Sequence, residues 1–147
     1  MTAAAPADAA TWLLAQVTEA ELQAFVVRTA RMLGWLVHHE KYSIGSDSGY
    51  PDLTLISPDN QRAVWMELKR EGRWPTRTRA VNGRRRVGQT IWLEALTEAG
   101  QEVYLVWPSS RQEVVELLQV GPREDMLCRR RLRDFLRAEA RREAEGA

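Results

Sequence analysis

The chain has 147 residues, of which one is cysteine and two are histidine; lysine also occurs only twice, at Lys41 and Lys69. Each scarcity closes off a class of chemistry. Cys128 alone cannot form an internal disulfide and lacks the paired spacing of a zinc site, so it reads as a free structural thiol. His38 and His39 are neighbours, and neighbouring residues in a strand point to opposite faces, so the two cannot share one ion. The longest apolar runs are a few residues, far short of the roughly 20 that a membrane helix needs. The first ten residues lack the basic start and apolar stretch of a secretory leader. No glycine-rich nucleotide loop, basic membrane-surface helix or internal repeat is found. These absences predict a single soluble domain in the cytoplasm with no membrane partner. The Arg-heavy, Ala-rich composition suits a bacterial cytoplasm or a phage-infected host.

With 44% hydrophobic and 28% charged residues, the chain can bury a core, which excludes a fully disordered or collagen-like protein. Basic and acidic residues nearly balance, 21 against 20. The balance hides a strong asymmetry. Arg70, Arg73, Arg77, Arg79, Arg84, Arg85 and Arg86 fall in one stretch with a single acid, Glu71, and Arg129, Arg130, Arg131 and Arg133 follow near the C-terminus. A near-neutral chain with that distribution still presents a positive patch.

Residues 1–10 are Ala-rich and without periodicity, which predicts a frayed tail. Leu22, Phe25, Val26, Thr29 and Leu33 recur at helical spacing between a Thr18 cap and Gly34, predicting a helix over 18–33. A short strand over 35–37 and a loop over 42–50 follow. Runs at 52–56 and 63–68 flank Ser57-Pro58-Asp59-Asn60 and predict an antiparallel hairpin. The Arg-rich stretch lacks apolar periodicity and reads as a long exposed loop. Beyond it, spacing predicts a helix over 89–99, a buried strand over 103–107, a short helix over 112–119 and a longer charged helix over 123–145. This order predicts an α/β domain in which helices flank a mixed central sheet.

The hairpin carries the chemistry. Glu67 and Lys69 are two apart on one strand and share a face, while Leu68 points to the other layer. Asp52 begins the partner strand and meets the end of theirs. Two carboxylates and an ammonium thus converge at one sheet edge. Hard cations such as Mg²⁺ prefer carboxylate oxygens and keep open positions for water and phosphate. Lys69 is then placed to orient or deprotonate a water and to offset charge on a phosphate.

Ser48-Gly49-Tyr50-Pro51-Asp52, Glu67-Leu68-Lys69 and Gln89-x-x-Trp92-Leu93, followed by Ala99-Gly100 and a valine-rich strand, resemble the VRR-NUC (virus-type replication-repair nuclease) family of PD-(D/E)xK nucleases. The resemblance spans about residues 19–107. It implies a restriction-endonuclease-like core that hydrolyses phosphodiester bonds with Mg²⁺, with Mn²⁺ able to substitute. It assigns Asp52 and Glu67 as metal-binding acids, Lys69 as the catalytic lysine and Gln89 as the glutamine opening the second core helix. It also implies an acid from the first helix. At about 100° per residue Glu19 lies beside the apolar stripe and Glu21 points away, which favours Glu19 as a further metal ligand, although its charge also suits a helix N-terminus.

The chain departs from the family in the nineteen residues between Lys69 and Gln89. Arginine offers bidentate donors to phosphate, so this insertion reads as a clamp on DNA through Arg70, Arg73, Arg77, Arg79, Arg84, Arg85 and Arg86. Ser48 and His39 are further candidate DNA contacts. Trp74 fits base stacking and packing on the domain equally well. The expected organisation is a flexible tail over 1–15, a nuclease domain over 16–120 with its insertion at about 70–88, and a charged C-terminal helix over 121–147.

Small members of this family resemble Holliday-junction resolvases. The resemblance therefore implies a structure-specific DNA endonuclease acting on branched DNA as a two-fold homodimer. Trp12, Leu13 and Leu14, or Leu132, Phe135 and Leu136, are the candidate dimer surfaces. The alternatives are a less selective flap, single-strand or duplex nuclease, and a non-catalytic DNA-binding module.

Overall fold

The computed structural model describes residues 8–40, 49–77, 79–81 and 84–146. Two helices, α1 (Ala9–Gln16) and α2 (Glu19–Met32), precede strands β1 (Leu36–His39), β2 (Leu53–Ser57) and β3 (Arg62–Leu68). A short pair, β4 (Arg79–Val81) and β5 (Arg84–Val87), leads to helix α3 (Thr90–Glu98) and strand β6 (Glu102–Val106). A 3₁₀ turn (Pro108–Ser110) then opens helices α4 (Arg111–Gln119) and α5 (Leu127–Gly146).

The main sheet runs β1-β2-β3-β6. Its first three strands are antiparallel, and β6 lies parallel to β3 with Glu67 opposite Leu105. Strand alternation splits the core into two layers. Leu53, Leu55, Val64, Met66, Leu68, Tyr104 and Val106 pack with Leu22, Val26 and Ala30 of α2 and with Val114, Leu117 and Leu118 of α4. Val103, Leu105 and Trp107 pack on the other side with Leu93 of α3 and Leu132 and Leu136 of α5. With both faces covered, β6 has no solvent side, and each fully buried Leu contributes on the order of 1.5–3 kcal/mol.

The predicted mixed sheet, hairpin and helices are all present. The start of α2 is fixed by a capping box, in which Glu21 N–H donates to Thr18 Oγ1 at 3.1 Å and Thr18 N–H donates to Glu21 Oε1 at 3.2 Å.

Three expectations need correction. The expected tail over 1–15 is helical from Ala9. Asp8 Oδ1 accepts the Thr11 N–H at 2.7 Å as an N-cap, and Arg70 Nη2 donates to Ala15 O at 2.9 Å, so a helix without buried residues is held from both ends. The Arg-rich stretch is not a long loop throughout, because β4 and β5 pair antiparallel within it. Its backbone groups satisfy one another across the ladder, and no apolar periodicity is needed for that. Finally, Leu132, Phe135 and Leu136 are no dimer surface: Leu132 and Leu136 are buried in the second core layer and Phe135 stacks on Trp74. Trp12 and Leu13 do lie exposed on α1. Among the described residues no helix is long and apolar enough to cross a membrane.

Candidate active site

The hairpin register places Leu53 opposite Met66, so the next position outward sets Asp52 beside Glu67. The Asp52 carboxylate is fixed there, accepting the Leu68 backbone N–H at Oδ2 over 2.8 Å. Glu67 is fully buried; neither of its oxygens accepts from a protein donor, and the polar group set against it is the Asp52 carboxylate. Burial pushes Glu67 up to about 9; the negative charge and proximity of Asp52 add to the rise, and Lys69 opposes it. A buried carboxyl that takes no donor and faces a second carboxylate costs free energy that packing does not return. Lys69 follows two residues on, with its backbone N–H donated to Val106 O at 3.1 Å. The three motif residues are therefore brought together at one corner of the sheet, on the α3–α5 side.

The segments flanking the corner are locked to it. The Tyr50 hydroxyl lies 3.1 Å from Thr54 Oγ1 and accepts Trp65 Nε1–H at 3.1 Å, while its ring meets Trp92 of α3 edge-on at 4.9 Å. Gly49, at φ +86°, packs backbone to backbone on Gly88: a Cβ there would sit 2.4 Å from Gly88 O and 3.0 Å from Gln89 Cα. Gly88 in turn leaves no room for a Cβ against Arg77 O, at 2.5 Å. Gln89 caps α3 at its backbone and accepts the Thr76 N–H at Oε1 over 2.8 Å. Its side chain thus ties the base of the Arg-rich insertion to the motif turn.

The first turn of the insertion is a strap fastened to the domain. Trp107 Nε1–H donates to Arg73 O at 2.7 Å, and Glu71 accepts the Ser109 N–H at 2.9 Å and its hydroxyl at 2.7 Å. Trp74 packs on the domain, stacked on Phe135 at 5.2 Å and edge-on to Trp107 at 5.0 Å. Arg70 is engaged with α1, and Arg77 pairs with Glu139 of α5 at 2.9 Å. Arg73 is exposed, and the backbones of Arg79, Arg84, Arg85 and Arg86 lie in β4 and β5. Ser48 lies outside the described residues.

The remaining candidates fall apart from the corner or beside it. Glu21 is occupied as the α2 cap, and Glu19 is exposed at the first position of that helix. Among the described residues no group of three or more His, Cys, Asp or Glu side chains is arranged to hold an ion, so Glu19 does not gather with Asp52 and Glu67. His39 pairs in register with Leu53, next to Asp52, whereas His38 is exposed with Nε2 3.5 Å from Glu40. Cys128 is buried, and burial, reinforced by Glu113, pushes its thiol up, as suits an inert core residue.

The donor set at the corner fits a hard divalent cation. Two carboxylates lie side by side, and the buried one lacks the partners that a cation would supply. The remaining coordination positions would fall to water and substrate oxygens.

Comparison with solved structures finds a chain titled "VRR_NUC domain", similar over 72% of this chain and 100% of that one, at TM-score 0.51 and 22% identity. The protein thus has the fold of a VRR_NUC domain, a mixed α/β sheet flanked by helices. No protein-family model and no curated protein matches the sequence.

Proposed function

We propose that this chain is a metal-dependent DNA endonuclease that hydrolyses phosphodiester bonds at the Asp52–Glu67–Lys69 corner, in a bacterial cytoplasm or a phage-infected host. The observation that carries the reading is Glu67, a fully buried carboxyl that accepts from no protein donor, set against a second carboxylate, Asp52, and two residues from Lys69. A structural role does not account for so costly a group, whereas a cation shared with Asp52 does. The fold similarity to a domain titled VRR_NUC supports the same reading.

Asp52 and Glu67 would hold Mg²⁺, or Mn²⁺ in its place. When bound, the ion supplies Lewis-acid polarisation of a phosphoryl oxygen and acidifies water. The protein's own groups do the rest. Leu68 N–H holds Asp52 in one orientation, so that carboxylate is preorganised. Lys69, two residues past Glu67 and near enough to act on its charge, would offset charge gathering on the phosphate and orient the attacking water. Gln89 fastens Thr76 and so keeps the strap of the insertion beside the corner. Arg73, exposed on that strap, and the arginines of β4 and β5 supply phosphate contacts that position the duplex without reading its sequence.

The finer part of the proposal is selectivity for branched DNA by a two-fold homodimer, for which exposed Trp12 and Leu13 on α1 offer an apolar surface. Its test compares cleavage of a labelled four-way junction, a flap and a linear duplex in Mg²⁺, with light scattering on the same sample. Paired symmetric cuts in the junction by a dimer are expected. Equal rates on linear duplex, or a monomer, would remove the branched-DNA reading and leave a less selective nuclease.

A further inference from the structure

Away from the corner, the strap and α5 enclose an open groove of about 630 Å³, within the range of small-ligand sites. Trp74, Phe135, Arg77, Arg131, Arg142 and Asp134 line it. Three guanidiniums therefore meet one lining carboxylate. Beneath them Glu139, only 6% exposed, accepts from Arg77 Nε at 2.9 Å and pairs with Arg142 Nη2 at 3.1 Å. One carboxylate shared by two arginines fixes both heads without neutralising both. A guanidinium has five N–H donors, and these contacts engage one nitrogen of each. Arg131 lies over the Trp107 ring at 4.4 Å, a contact that leaves its charge intact.

The aromatic wall is unusual in the same way. Stacking on Phe135 orders Trp74, yet 44% of the residue stays accessible, at the groove. An ordered, half-open indole ringed by arginines matches a ligand that is both flat and anionic. Trp74 lies five positions after Lys69, a reach of at most about 18 Å, or roughly five stacked nucleotides.

We propose that this groove binds a nucleotide of a single-stranded nucleic-acid segment flanking the cleavage point, its base against Trp74 and its phosphate on Arg77 and Arg142. The proposal rests on the nuclease reading for its location, but the binding itself requires no cleavage. The occupant is a single strand because a base within a duplex has its faces already stacked, whereas an unpaired base is free to meet an aromatic side chain. The wall Trp74 forms with Phe135 and Trp107 is built before any ligand arrives, which lowers the ordering cost of binding.

The test is done in EDTA, where no cutting occurs, so its outcome is independent of activity. Fluorescence anisotropy compares a labelled short oligothymidylate with an abasic strand of equal length, on wild type, Trp74→Leu and Arg142→Gln. Wild type should prefer the base-bearing strand by roughly 5- to 100-fold, Trp74→Leu should erase the preference, and Arg142→Gln should weaken both strands alike. Equal binding of the two strands by wild type, or a preference that survives Trp74→Leu, would overturn the proposal. Should Trp74→Leu fail to fold, photocrosslinking of a 5-iodouridine strand to wild type decides. An adduct on the Trp74 peptide supports the site, and adducts confined elsewhere refute it. If the preference is present while no substrate is ever cut, the groove stands and the nuclease reading falls.

Discussion

Replacing Glu67 by glutamine isolates the energetic peculiarity of the site. The carboxyl's ordinary value near 4.5 is pushed up to about 9 in the fold. Above pH 4.5 the unfolded chain releases a proton that the folded chain retains, so the native state binds more protons and stability falls as pH rises. The contribution of Glu67 is most favourable below its unfolded value and is lost progressively as pH climbs toward 9. At about pH 7.5 the cost relative to acid is at most about 4 kcal/mol, taking 1.36 kcal/mol per unit. In Glu67→Gln that term is absent, but a buried amide keeps a desolvation cost of about 1–3 kcal/mol, which an Asp52 oxygen is placed to reduce. The metal-free variant should therefore exceed wild type by about 1–3 kcal/mol at pH 7.5, or some 2–10 °C in Tm at this chain length. The assay is thermal unfolding in EDTA between about pH 5.5 and 8.5. The reasoning requires the variant-minus-wild-type difference to grow with pH, and a difference that is flat or falls would refute it. Adding Mn²⁺ should then stabilise wild type but not Glu67→Gln.

Two further outcomes follow from the same geometry. Because a cation must displace the Glu67 proton, Mn²⁺ affinity measured by calorimetry should rise by about tenfold per pH unit between roughly pH 6.5 and 8.5; an affinity independent of pH would contradict the raised carboxyl. Gly49→Ala combines a left-handed φ of +86° with a Cβ 2.4 Å from Gly88 O, whereas Gly34→Ala at φ +85° meets nothing within 4 Å. Urea unfolding should show a loss of about 1 kcal/mol for Gly34→Ala and at least about twice that for Gly49→Ala.

The corner was legible because a hairpin is local. The Pro58-Asp59-Asn60 turn sets the pairing of 53–57 with 62–66, and strand alternation carried one position outward then puts Asp52, Glu67 and Lys69 on one face. The burial of Glu67 was not legible, since it depends on α3 and α5 closing over that face from distant parts of the chain. Glu19 and Glu21 show how a helical wheel misses capping: Thr18 and Glu21 form a box readable as Thr-x-x-Glu, which occupies Glu21. The β4–β5 pair was hidden by its arginines, although Asn82-Gly83 between Arg79-Ala80-Val81 and Arg84-Arg85-Arg86-Val87 is a strong hairpin dipeptide. Helix α1 carried one signal, Asp8 three residues before Thr11, but its anchor on Arg70 is a tertiary contact no local pattern reveals. Trp74 fitted two readings in the sequence, and its packing on Phe135 and Trp107 could be seen only in the fold.

The proposed function stands or falls with hydrolysis of DNA at the Asp52–Glu67–Lys69 corner in the presence of a divalent cation. The most direct measurement is cleavage of end-labelled DNA by wild type, Asp52→Ala and Lys69→Ala in Mg²⁺, Mn²⁺ and EDTA, with each variant shown folded by circular dichroism. Wild type should cut with either metal and not in EDTA, and both variants should lose at least about 100-fold in rate. Cutting that persists in EDTA or in Asp52→Ala would contradict the proposed function, as would a folded wild type that binds DNA but cuts none with either metal.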